Sequence, residues 1–153
     1  MVANIGRGSG DSDTVSLIDL KAEPPRVVDT ISVGQTPEGV KMSPDGKTIG
    51  VVVMNGSNKA KDSPFLSDHG KLVLLTVKGK KLVRLAEGKL GHWSQGVAFA
   101  SDNKTILVGN MVEKTVQVFQ FDEGKLASTG TIKVGGGSAA VRFADKPVAA
   151  KTN

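Results

Sequence analysis

The apolar residues of this chain fall in short runs, each closed by a polar or glycine-bearing turn. The run TVQVFQF, residues 115–121, alternates apolar and polar side chains, as a strand buried on one face should. Apolar spacing by three and four, the mark of an amphipathic helix, is scarce. The pattern predicts strands at 2–5, 14–20 and 26–33, then at 39–43, 48–55, 71–77 and 82–88. A further four follow at 96–100, 105–111, 115–121 and 126–132, and a last one at 139–144. Tight turns separate several of them. In Pro44-Asp45-Gly46-Lys47 and Ser101-Asp102-Asn103-Lys104, Gly and Asn are the residues that accept positive φ.

The pattern also repeats. SPDGKTIGVVVMN, from Ser43, is echoed by SDNKTILVGNM, from Ser101, with Lys47 and Lys104 standing 57 positions apart. The same offset aligns VGQTPEGVKM, from Val33, with LGHWSQGVAF, from Leu90, so that Gly34 meets Gly91 and Gly39 meets Gly96. A third copy, VGGGSAAVRF, begins 44 positions after the second, at Val134. The longer spacing predicts an insertion in the first copy, and the polar stretch 55–70, NGSNKAKDSPFLSDHG, supplies it. TVSLID matches TVQVFQ, and TISVG matches TIKVG, both at an offset of 101, the sum of the two spacings. Independent segments thus agree on one alignment.

Four short antiparallel strands in a unit of about 44 residues are the period of a β-propeller blade. The expected fold is therefore all-β, with three four-stranded blades per chain. Blade one is 2–33 plus the C-terminal strand 139–144, blade two is 38–88 with the insertion 55–70, and blade three is 95–134. Residues 145–153 are left as a flexible tail. Three blades do not close a ring, since propellers typically hold four to eight. Two expectations follow. The chain is the C-terminal part of a larger propeller of about seven blades, or two copies join head to tail as a six-bladed homodimer, each C-terminal strand completing the partner's first blade.

Composition narrows the function. At 153 residues the chain fits one domain. It has no cysteine, which excludes disulfides and thiolate metal sites. The net charge is +5, but the lysines sit mostly at turns, among them Lys47, Lys78, Lys80, Lys81, Lys104 and Lys125. Binding to nucleic acid would need aromatic residues interleaved with basic ones. Tyr is absent and Trp occurs once, so no nucleic-acid partner is expected. No apolar run reaches the roughly 18 residues of a membrane span, and MVANIGRGSG has no secretory-signal pattern. GRGSGD, residues 6–11, lacks the Gly-Lys-Ser/Thr ending of a phosphate loop and reads as a flexible loop.

The segments VGQTPEGVKMSPDGKTIGVVVMN and DTVSLIDL, with MVANI at the start, resemble the YVTN-type β-propeller repeat over nearly the whole chain. One copy departs from that pattern, with Ser94 in place of Pro and Ser-Asp-Asn in place of Pro-Asp-Gly. The resemblance implies a periplasmic or extracellular parent protein, and its relatives include lactonase-like propellers. In such a fold the loops at 6–13, 34–38, 55–70, 91–95, 110–114 and 135–139 share one face. That makes Glu38, Asp62, Asp68, His69, His92, Trp93 and Gln95 candidate binding residues. The two histidines lack a metal-binding spacing, so neither metal nor cofactor is expected. Three functional readings remain: a non-catalytic binding or scaffold module, a lactonase-like hydrolase with His92 and Glu38 as its polar groups, and a fragment without a function of its own.

Overall fold

A computed structural model describes residues 1–143. Strands β1 (Val2–Asn4), β2 (Asp13–Asp19) and β3 (Arg26–Gly34) form one antiparallel sheet in that order. The second sheet holds β4 (Pro37–Met42), β5 (Ile49–Val53), β6 (Lys71–Lys78) and β7 (Lys81–Lys89). The third holds β8 (Ser94–Phe99), β9 (Thr105–Asn110), β10 (Thr115–Asp122) and β11 (Lys125–Lys133). The described residues include no helix, and so none long and apolar enough to cross a membrane.

The last expected strand is not formed. Residues 139–143 carry no strand, while Ala144 and the tail 145–153 lie outside the described residues. A strand needs a neighbouring edge to satisfy its backbone, and 139–143 pair with none among the described residues.

The repeat seen in the sequence recurs in the hydrogen bonds. Ser43 N donates to Thr48 O (2.8 Å), and Ala100 N donates to Thr105 O (2.9 Å), 57 positions on. Within the same turns Asp45 Oδ1 accepts from Lys47 N (3.1 Å) and Asp102 Oδ1 from Lys104 N (2.9 Å). Gly46 and Asn103, at equivalent places, both have positive φ. The ladders agree as well. A β-bulge falls between Leu17 and Ile18, between Leu74 and Leu75, and between Val118 and Phe119, which are equivalent positions in the three sheets. A bulge twists its strand locally, so three matched bulges give the three sheets one shape.

Similar shapes stack. Val15, Val33, Ile49, Val51, Val53, Val73 and Leu75 fill one core cluster between the first and second sheets. Val52, Leu72, Leu74, Val97, Phe99, Ile106 and Phe119 fill another between the second and third. The middle sheet is therefore buried on both sides, and β5 and β6 read as near-continuous apolar runs rather than alternating ones. Each such side chain removed from water contributes about 1.5–3 kcal/mol, so these two cores hold the stack together. Polar ties add orientation: Asp29 in β3 accepts from Leu82 N (2.7 Å) and Lys81 Nζ (2.8 Å) at the start of β7. At the opposite edge β4 and β8 approach closely, and a methyl group on Gly39 would lie 3.4 Å from Gly96 N.

Candidate functional site at the loop end

The connections that leave one end of the three sheets are tied into a continuous band. The β3–β4 turn, 35–36, is held by Asp13, whose carboxylate accepts from Thr36 N (2.8 Å) and from Gly6 N (2.7 Å). The equivalent amide of the β7–β8 connection, Trp93 N, donates to Ser57 Oγ (3.0 Å). Thr36 and Trp93 both have positive φ. Each turn therefore directs a left-handed residue's amide at a polar side chain, that of Asp13 at the start of β2 or of Ser57 in the β5–β6 loop. The long β5–β6 loop spans 54–70. Its Lys59 Nζ donates to Gly8 O (2.6 Å) in the β1–β2 loop, and the Phe65 ring lies against Gly10. Asn55 Nδ2 pins the loop's far end through Ser67 Oγ (3.2 Å) and His69 O (3.3 Å).

A cavity of about 580 Å³ opens within this band, lined by Ser57, Lys59, Lys61, Leu66, Asp68 and His92 among others. Of the residues singled out from sequence, Asp68 and His92 meet here. Trp93 adjoins them in the β7–β8 connection and is 42% exposed. His69 is half-buried and pairs with Asp68. That hydrogen bond, with Lys89 Nζ at 3.5 Å, holds the Asp68 carboxyl below its ordinary value. Asp62 is exposed on the same loop but does not line the cavity. Glu38 and Gln95 lie on strands instead. Glu38 faces a separate groove with Lys41, Gly96 and Ala140, and Gln95 pairs with Gly109 inside the third sheet.

The carboxylate beside His92 is therefore Glu113, not Glu38. Glu113 Oε1 lies 2.7 Å from His92 Nδ1, and its two oxygens accept from His92 N at 3.0 and 3.1 Å. Burial pushes the Glu113 carboxyl up, but the bonds from His92 outweigh it and leave the group below its ordinary value. One side chain thus clamps the β9–β10 loop to the β7–β8 connection and orients the imidazole. Glu113 stood in the sequence within the 110–114 loop, assigned to the same face as His92. Only its distance from His92 was missing.

Behind the clamp sits Asn110, 4% exposed. Its Oδ1 accepts from Ser94 Oγ (2.8 Å) and Gly91 N (3.1 Å), and its Nδ2 donates to Gln117 Oε1 (3.3 Å) and Thr115 Oγ1 (3.4 Å). Among the described residues no group of three or more His, Cys, Asp or Glu gathers in metal-binding geometry. No protein-family model and no curated protein matches this chain.

Proposed function

We propose that the chain forms blades of a YVTN-type β-propeller and serves as a non-catalytic binding or scaffold module, recognising a partner or small ligand across the loop end. The observation that carries this reading is the contrast between the two ends of each sheet. The β4–β5 and β8–β9 turns opposite repeat one hydrogen-bond pattern, while the linked loops differ in length and chemistry and line a cavity. Rigid scaffolds carrying variable loops commonly place recognition in those loops. The matched bulges and the close Gly39–Gly96 approach support stacked propeller blades, since each repeat packs on its neighbours alone. Within the cavity, Lys61 and His92 offer polar contacts and Leu66 an apolar wall, a mixture suited to a small polar ligand.

The second reading, hydrolysis of a sugar lactone, draws support from the His92–Glu113 pair. A carboxylate-held imidazole on a cavity rim is placed to take a proton from an attacking water. Fold likeness by itself assigns no activity. Proton release from glucono-1,5-lactone, measured for the native chain and for His92→Ala, separates the readings. The binding reading expects background rates from both. It also expects amide shifts confined to 54–70, 90–93 and 111–114 when sugar lactones, sugar acids and dicarboxylates are titrated. Turnover that His92→Ala abolishes would establish the hydrolase instead, and a panel that shifts none of these amides would remove the small-ligand reading.

A further inference from the structure

The two ends of the stack are complementary. In the middle, β4 stands to β8 through Gly39 and Gly96. A methyl group on Gly96 would in turn lie 2.9 Å from Ala140 Cα and 2.9 Å from Val141 N. Gly39, Gly96 and Ala140 are equivalent in the sequence repeat, so the segment 138–143 occupies, against the third sheet, the place of the next sheet's first strand. It has no sheet of its own there. At the other end, the first sheet has three strands, and among the described residues β1 pairs with β2 alone. Its counterparts β5 and β9 each pair on the second side as well, with β4 and β8.

We propose that a second copy of this chain joins these ends. Segment 138–143 of each copy adds to β1 of the other as a fourth strand, closing a two-fold ring of six sheets. This inference rests on the propeller reading above. Addition of an extended segment to an open edge satisfies backbone groups on both partners. The alignment fixes the register. Ser94 pairs with Asn110, Gln95 with Gly109 and Val97 with Val108, which places Ser138 opposite Asn4, Ala139 opposite Ala3 and Val141 opposite Val2 of the partner copy.

The side chains agree with that register. Asn4 Nδ2 donates to Ser16 Oγ (2.8 Å) and Thr14 Oγ1 (3.0 Å), as Asn110 Nδ2 donates to Gln117 and Thr115. Asn110 fills its Oδ1 with Ser94 Oγ and Gly91 N. The Oδ1 of Asn4 accepts no bond among the described residues, and the repeat counterparts of its missing donors are Ser138 and Gly135. The faces fit too. The outer face of the third sheet carries Leu107, Val116, Val118 and Ile132, aligned across its ladders. The outer face of the first sheet carries the uncharged Asn4, Thr14, Ser16 and Thr30, matching the Asn110, Thr115 and Gln117 wall that already faces the second sheet. Neither set of residues brings a charge into the junction.

The test uses the whole chain. Light scattering after size exclusion is expected to give twice the 15.9 kDa chain mass. Ala3→Cys combined with Ala139→Cys, in a chain with no other cysteine, should oxidise to a covalent dimer, because facing strand residues lie within disulfide reach. Ile132→Glu, at a position 52% exposed in the single chain, should leave the fold intact but weaken association at least about a hundredfold by burying an unpaired charge. A monomer, a disulfide formed within one chain, or a dimer indifferent to Ile132→Glu would each overturn the closure. X-ray scattering of the same samples keeps the two levels apart. A monomer whose profile fits three stacked sheets overturns closure alone. A profile that fits no such stack at either mass overturns the propeller reading beneath it.

Discussion

Gly88 and Phe119 allow the packing between the second and third sheets to be tested quantitatively. Phe119 is 2% exposed and belongs to the cluster with Leu72, Leu74 and Ile106. Its ring rests on β7 where Gly88 has no side chain. A methyl group at Gly88 would lie 2.9 Å from Phe119 Cε1 and 3.0 Å from Leu126 Cδ2, closer than carbon atoms pack without strain. Gly88→Ala should therefore destabilise the chain by about 1–3 kcal/mol, the usual cost of overfilling a core. Phe119→Ala should cost about 3–5 kcal/mol, as a large ring removed from a core does. In the double variant the new methyl group enters space the ring has left, so the two costs should not add. The expected shortfall is at least about 1 kcal/mol, above the additivity error of about 0.3–0.5 kcal/mol for independent sites. Urea unfolding of the native chain, both single variants and the double variant measures all four corners. Strict additivity would mean that Gly88 and Phe119 do not touch, and the stacking of these two sheets would have to be redrawn.

Three further outcomes are expected. Asn110→Ala strands the Gly91 amide and leaves the buried Ser94 hydroxyl only the Gly91 carbonyl as acceptor, and should cost about 1–3 kcal/mol in the same urea assay, whereas a change below about 0.5 kcal/mol, the size of an ordinary surface substitution, would contradict the network. The Glu113 carboxyl is held below its ordinary value, so the folded state binds fewer protons there than the unfolded state. The stability it supplies should be full above the ordinary glutamate range and lost as pH falls through that range and below it. Glu113→Gln should flatten this acid-side loss, and identical pH profiles for the two proteins would exclude the clamp. Trp93 adopts positive φ and is 42% exposed, so Trp93→Gly should relieve backbone strain and leave thermal stability unchanged or higher. A clear fall in melting temperature would mean that the ring contributes more by packing than its exposure implies.

Much of the architecture was legible from the residues alone. Strand positions follow from alternation and from turn chemistry at Gly46 and Asn103, both of which act over a few neighbouring residues. The offsets of 57, 44 and 101 reappear in the turn hydrogen bonds and the three bulges, because equal local sequences satisfy their backbones in equal ways. The stacking explains why TVQVFQF of β10 alternates while VVV of β5, buried on both sides, does not. The loop end was legible only as a set of residues sharing a face. That His92 meets Glu113 rather than Glu38, that Asp68 reaches His92's cavity while Gln95 stays in its ladder, and that 139–143 lies beside the third sheet without forming a strand were decided by the tertiary fold. Local pattern specifies which backbone groups pair with near neighbours. Contacts between distant loops depend on how far one sheet is displaced and rotated against the next, and that is set by the summed packing of Phe119, Leu72, Val97 and their neighbours rather than by any one segment.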